Sequence, residues 1–199
     1  ILGAGTVGSN AALTAASLGA EVILLEQNRN LILHLAKSMP TNVTVLPSNE
    51  LNVKKYLQDA VLLVNAAVVS PGTVIVTRDM LKLMKPGAVV VDVTAEENGA
   101  IETIVPKTHS NPTYIVDGIL HYCVPNIPGV VPKTSSSALS NATLPYIMEI
   151  ANKGCRRALA ENVSLLRGLC FIDGKTTHLA TAEAQGLQYY PPEKAIRDN

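Results

Sequence analysis

Up to about residue 124, short apolar runs alternate with amphipathic segments. Ile1 and Leu2 end a strand, and a helix of small residues, Asn10 to Leu18, is closed by Gly19. Glu21–Leu25 reads as the next strand. Asn28 is placed to cap a helix reaching Ser38, which Pro40 stops. Val43–Leu46 is a strand, and Ser48 or Asn49 opens a helix with Leu51, Tyr56 and Leu57 on its inner face. Val61–Val69 and Ala88–Val93 are nearly continuous apolar runs, the pattern of parallel strands covered on both faces. Between them Pro71-Gly72 turns the chain, Thr77 caps a helix from Arg78 to Met84, and Lys85-Pro86-Gly87 ends it. Two closely spaced strands follow, Thr113–Val116 and Ile119–Val124, then a proline-rich loop from Pro125 to Pro132.

Strands alternating with short helices at this spacing imply βαβ units. Right-handed crossovers then give an α/β, Rossmann-type doubly wound parallel sheet over residues 1–133. Beyond the proline-rich loop the pattern changes. Thr134 to Ser137 caps a long helix from Ala138 to Lys153, with a kink expected at Pro145. A second helix reaches Leu166, Asp173-Gly174 forms a hairpin turn, and a last helix spans Leu179–Gln185. This mainly helical segment, residues 134–199, has too small a core to stand alone and is expected to pack on something outside the chain.

The glycines after the first strand follow the order G-x-G-x-x-G: Gly3-Ala4-Gly5-Thr6-Val7-Gly8. Gly3 permits a tight turn, Gly5 lets backbone approach a diphosphate, and Gly8 lets the helix pack closely on the sheet. The helix then points its free N–H groups at the phosphates. The strand after that helix ends in Glu26, eighteen residues beyond Gly8 (26 − 8 = 18). An acid at this point accepts hydrogen bonds from the adenosine ribose and repels a 2′-phosphate, which favours NAD over NADP.

Composition narrows the options further. Hydrophobic residues make up 47% of the 199 and charged residues 16%, enough for a real core. The formal net charge is zero, which gives no electrostatic case for nucleic acid or an acidic membrane surface. No apolar run approaches the ~20 residues that span a bilayer. Cys123, Cys155 and Cys170 are odd in number and lack metal-site spacing, so they read as free thiols of a cytoplasmic protein, with no metal centre. The chain opens inside a strand without an initiating Met, and it is expected to be part of a longer protein.

In a doubly wound sheet the ligand lies beyond the carboxyl ends of the strands. Three segments arrive there: Ala66-Ala67-Val68, the loop from Thr94 to Gly99, and Val124-Pro125-Asn126-Ile127. Glu96, at the start of its loop, can point into the cleft. Glu97 reads as a solvated residue beside Asn98-Gly99.

The segment His121 to Ser135, the run Ala138 to Tyr146 and Ala151-Asn152-Lys153-Gly154 resemble the alanine dehydrogenase and nicotinamide nucleotide transhydrogenase family. So do the glycine turn, Met84-Lys85-Pro86-Gly87 with Val91-Asp92-Val93, and Gly168-Leu169. The resemblance covers the chain in order and lies nearest alanine dehydrogenase. It implies NAD-dependent oxidative deamination of L-alanine to pyruvate and ammonia, in a homo-oligomer, usually a hexamer. It places cofactor contacts at Gly3, Ala4, Gly5, Thr6, Val7, Gly8, Glu26, Ser48, Ala67, Val68, Val93, Val124, Asn126 and Ile127. It puts Glu96 where the family's catalytic aspartate assists water addition to an imine. It also implies that residues 134–199 return to a substrate domain whose other part precedes Ile1, so that this chain alone binds NAD(H) without turnover. Three departures stand out: Glu96 is one methylene longer than aspartate, the family's Lys-Ala-Pro-Lys run after Gly72 is missing, and the family's catalytic histidine has no counterpart, His121 being a strand histidine near the cleft mouth. Two alternatives fit the same motifs: the NAD(H)-binding part of a transhydrogenase, favoured by Glu96-Glu97-Asn98-Gly99, and a non-catalytic dinucleotide-binding module.

Overall fold

The first two residues occupy the middle of the sheet. In the computed structural model, which describes residues 1–70, 72–96 and 99–197, Leu2 makes parallel bridges to Leu25 on one side and Asn65 on the other. Its N–H donates to the Val64 carbonyl at 2.8 Å, and the Gly3 N–H donates to Leu25 at 2.8 Å. On the Leu25 side, β1 (Val22–Glu26) pairs in parallel with β2 (Val43–Pro47). On the other side, β3 (Leu62–Asn65) pairs in parallel with β4 (Val89–Asp92), and β4 with β6 (Ile119–Tyr122). An antiparallel edge strand, β5 (Thr113–Val116), completes the sheet. The order is therefore β2-β1-Leu2-β3-β4-β6-β5. The chain winds outward to one side, returns to the middle and winds outward to the other. The winding reverses at Leu2, and in such sheets ligands bind beyond the carboxyl ends of the strands at that point.

Alternate residues of β1 feed two cores. Val22 and Leu24, with Val43 and Val45 of β2, pack against Ala12 and Ala16 of α1 (Thr6–Ser17) and Leu35 of α2 (Arg29–Ser38). Leu25 and Leu63 face the other way, onto Val53 and Leu57 of α3 (Glu50–Leu57) and Met80 and Leu81 of α4 (Arg78–Leu81). Alanines on α1 let it lie close to the sheet; Leu24, at 0% exposure, fills the space beneath.

Several helix ends follow from local capping. Asn28 accepts from the N–H groups of Asn30 and Leu31, Asn49 from Asn52, and Thr77 from Met80. Other expectations need correction. Leu51 points to solvent at 77% exposure; Val53 and Leu57, four apart, form the buried stripe of α3. The third strand is shorter than its apolar run: β3 stops at Asn65, and residues 66–69 leave the sheet at its carboxyl edge, with Val68 90% exposed. The helix after Thr77 ends at Leu81. The expected turn at Pro71 and the solvated position of Glu97 beside Asn98 fall outside the described residues.

The chain divides into two compact units, Ile1–Val130 and Val131–Asn199. In the second, α5 (Pro132–Lys153) starts six residues before the expected Ala138 (138 − 132 = 6), because Pro132 sits at the first helical position, where its fixed φ suits a helix and its missing N–H costs nothing. It runs through Pro145 as one assigned helix and buries none of its side chains. The expected second helix is two, α6 (Cys155–Glu161) and α7 (Val163–Arg167), divided at Asn162, which caps the latter through the N–H groups of Ser164 and Leu165. A two-stranded hairpin, β7 (Phe171–Ile172) and β8 (Lys175–Thr176), then leads to α8 (Leu179–Gln185) and α9 (Pro192–Ala195). Ala158, Leu159, Ala182 and Ala195 form its small interior.

Candidate dinucleotide site

The glycine turn is closed so tightly that side chains are excluded at two of its three glycines. Gly3 has φ +82°, and a Cβ there would lie 2.8 Å from the Ala66 carbonyl oxygen and from the Ala67 N and Cα. A Cβ on Gly8 would lie 1.9 Å from the Gly3 carbonyl oxygen. The strand end, the first turn of α1 and the loop after β3 are thus in backbone contact. Gly5 differs: no atom lies within 4 Å of its Cβ position, which opens onto a cavity. Gly5 is also the N-cap of α1, which has no side-chain cap and no acid in its first turn. The amides of that turn are free of competing carboxylates, and the positive end of the helix is left without a capping group, as an anion-binding helix start is.

Glu26 closes the site from the end of β1. Its Oε2 accepts from the Ala4 N–H at 2.7 Å, and its Oε1 accepts from the N–H groups of Gln27 at 2.8 Å and Asn28 at 2.9 Å. Desolvation opposes ionisation, but the three backbone donors outweigh it and hold the carboxyl below the ordinary glutamate range. With three of about four lone-pair positions occupied, this ionised carboxylate keeps acceptor capacity for a sugar hydroxyl.

A cavity of about 270 Å³ joins these parts. Of the residues expected to bind cofactor, Gly3, Gly5, Glu26, Ser48, Ala67 and Val68 line it. The buried Ala4 contributes its N–H to Glu26, and Thr6, Val7 and Gly8 form the first turn of α1. Val93, Glu96, Val124, Asn126 and Ile127 are not among its lining residues. They lie at the same edge of the sheet, on the segments that follow β4 and β6. Glu96 is exposed and follows Ala95, whose φ is +47°. The backbone carbonyl of Asn126, whose φ is +63°, accepts from His109 Nε2–H at 3.0 Å. A second cavity, about 310 Å³, is walled by Val53, Tyr56 and Leu57 of α3 and by Ile23 and Leu62; it shares Leu25 with the first but includes none of the glycines of the turn.

His121 is fully buried on β6, inside the protein rather than at the cleft mouth. Its Nδ1 lies 3.0 Å from the Ile119 carbonyl, which can only accept, so Nδ1 carries the proton and Nε2 accepts from the Thr103 hydroxyl at 2.8 Å. Tyr114 stacks on its ring at 5.0 Å. Burial lowers its pKa, which keeps it a neutral structural group.

The sequence reading missed a polar cluster behind the loops. Asn65 and Asp92, the last residues of β3 and β4, are both at 0% exposure and hydrogen-bond each other. The available signals were an asparagine inside an apolar run and an acid inside a buried strand. Among the described residues no group of His, Cys, Asp or Glu could hold a metal ion, and no helix is long and apolar enough to cross a membrane.

Comparisons with known proteins bear on this site. A family model described as alanine dehydrogenase/PNT, C-terminal domain, matches residues 1–179. The alanine dehydrogenase of Methanococcus maripaludis is 45% identical over 202 aligned residues, covering 100% of this chain and 54% of that protein. The alanine dehydrogenase of Bacillus subtilis is 43% identical, covering 100% of this chain and 53% of its own length. The chain therefore spans about half the length of the curated relatives it matches. Among solved structures, an L-alanine dehydrogenase superposes with a TM-score of 0.85 at 36% identity, over 93% of this chain and 52% of that one. A transhydrogenase from Sinorhizobium meliloti shares the fold, with a TM-score of 0.69 at 23% identity over 90% of this chain and 48% of that one.

Proposed function

The chain belongs to the alanine dehydrogenase/PNT family, and on that premise we propose that it is the cofactor-binding part of an enzyme that oxidatively deaminates L-alanine to pyruvate and ammonia with NAD. One observation carries the cofactor assignment: the Glu26 carboxylate is tied to the Ala4 N–H beside an uncapped helix start, with Gly5 open between them. Those groups match the diphosphate and the ribose of the adenosine diphosphate moiety. The amides at the start of α1 take the diphosphate, and Glu26 takes the ribose. Ala67 and Val68 offer an apolar surface for a flat ring.

NAD, when bound, supplies the hydride acceptor. Oxidation removes a hydride from the alanine Cα and leaves an imine; water adds to it and ammonia departs. Glu96 is assigned as the base that takes the proton from that water, with the loop Val93–Glu96 and the segment Val124–Ile127 flanking the reacting end. Residues 134–199 are assigned to the substrate-binding half of the enzyme. The exposed apolar side chains Leu139, Leu144 and Ile147 of α5 support a homo-oligomer, and three free thiols are compatible with the cytoplasm.

The test is alanine-dependent reduction of NAD by the full-length protein, beside titration of NADH fluorescence on this chain. Binding together with turnover supports the assignment. Binding without alanine-dependent turnover overturns the reaction and leaves the cofactor; no binding overturns both. Glu26→Ala is expected to weaken NADH about 10- to 100-fold, since hydrogen bonds to a charged group contribute about 1.5–3 kcal/mol. Unchanged affinity would remove the ribose assignment. The lowered pKa adds a pH signature. Stability from the ionised Glu26 is complete above the ordinary glutamate pKa and is lost as pH falls through its lower folded value. Glu26→Gln is therefore expected to be less stable than wild type at neutral pH and to converge with it in acid, as measured by urea denaturation.

A further inference from the structure

We propose that Asn65 and Asp92 are positioning residues: they form a buried pair that sets the two loops framing the reacting end of the cofactor, an inference that rests on the NAD-binding reading above. The pair joins register partners at the carboxyl ends of β3 and β4. Asn65 Nδ2 donates to both Asp92 oxygens at 3.0 Å and to Thr94 Oγ1 at 3.3 Å. Its Oδ1 accepts from the Ala67 N–H at 3.2 Å. Asp92 Oδ1 in turn accepts from the N–H groups of Thr94 and Ala95, each at 2.9 Å, and from the Thr94 hydroxyl at 2.7 Å.

Each side chain thus grips the backbone just beyond its own strand. Asn65 holds Ala67, which lines the cofactor cavity and whose backbone abuts Gly3. Asp92 holds the two amides leading into Ala95, whose left-handed backbone (φ +47°) is strained and persists only where its surroundings impose it. Glu96 is the next residue. No described ion pair involves Asp92, so a fully buried carboxylate is kept with hydrogen-bond donors alone. For packing alone, apolar residues of similar volume would serve as well or better. What the polar pair adds is direction. It links the loop facing the cofactor to the loop carrying Glu96, so that both move as one unit.

Asn65→Asp tests this, because it removes the amide donor and sets a second carboxylate against Asp92. Two carboxylates in contact raise the pKa of one strongly, and a shared proton restores a donor at lower pH. NAD binding by calorimetry on this chain is expected to weaken at least about tenfold at pH 8.5, as misplaced binding groups do. It should recover most of that loss at pH 6. The ionisable side chains that interact electrostatically with Asp92 are Tyr114 of β5 and Cys123, the residue after β6. Burial raises the pKa of both, so they stay protonated, and burial keeps His121 neutral. Glu96 and Glu26 are common to both proteins and cancel in the comparison with wild type. Affinity equal to wild type at both pH values, or equally weak at both, overturns the pair. Should Asn65→Asp not fold, Thr94→Val carries the test. It removes the hydroxyl shared by both partners and should weaken NAD about fivefold, the worth of one hydrogen bond, while lowering the melting temperature by only about 2–4 °C. Affinity equal to wild type in that variant overturns the pair as well. A wild-type chain that does not bind NAD overturns the cofactor reading itself, and the pair with it.

Discussion

Replacing Glu96 with glutamine in the full-length protein is expected to lower alanine-dependent NAD reduction about 10²- to 10⁴-fold, the range contributed by one positioned general base. Glutamine has the same length and can still accept a hydrogen bond, but it cannot take a proton from water. NADH affinity should therefore stay within about twofold of wild type, since Glu96 is exposed and lines no wall of the cofactor cavity. The two readouts separate the chemical role from a binding role. Loss of both together would place Glu96 in the cofactor site, and retention of turnover would remove it from the mechanism. Glu96→Asp, one methylene shorter but still an acid, should keep much more activity than glutamine if the loop held by Asp92 brings either carboxylate within reach.

Gly8→Ala is expected to be the most disruptive single-methyl change in the cofactor turn. Its Cβ would sit 1.9 Å from the Gly3 carbonyl oxygen and 3.0 Å from the Gly3 carbonyl carbon. Both are backbone atoms, so no rotamer relieves the overlap. Either α1 must move away from the sheet, opening the core around Ala12 and Leu24, or the turn must unfold. A destabilisation of about 4 kcal/mol or more places it in the exceptional class of point mutations. Urea denaturation checks it: a midpoint near wild type would contradict the close approach. Gly5→Ala supplies the contrast. With nothing within 4 Å of the added methyl, its stability should change by no more than about 0.5 kcal/mol. NADH affinity should still fall, because the methyl fills space on the cofactor side of the turn. One substitution removes the fold and the other only the ligand, although the two glycines are three residues apart.

Much of this was legible before any coordinates. Asn28, Asn49 and Thr77 announce the helices they cap because capping is a contact over two or three residues. The G-x-G-x-x-G turn and the acid after the next strand are legible for a related reason. One βαβ unit spans them, so spacing along the chain maps onto spacing in the fold. Elsewhere local pattern was a poor guide. Leu51 matches an inward periodicity as well as Val53 does, and only the sheet beneath α3 separates them. The run Val61–Val69 is apolar throughout, yet it leaves the sheet at Asn65, where the partner strand ends.

Residue order along the chain was enough to specify the winding of the sheet, the tight turn at Gly3–Gly8 and the acid that meets it, since these depend on neighbours close in sequence. Assembly in three dimensions settled which polar residues meet behind the loops. Asn65 and Asp92 are partners because β3 and β4 align in one register, and a shift of a single residue would turn one of them to the opposite face. Register is set by the summed packing of the whole sheet, which no window of sequence contains.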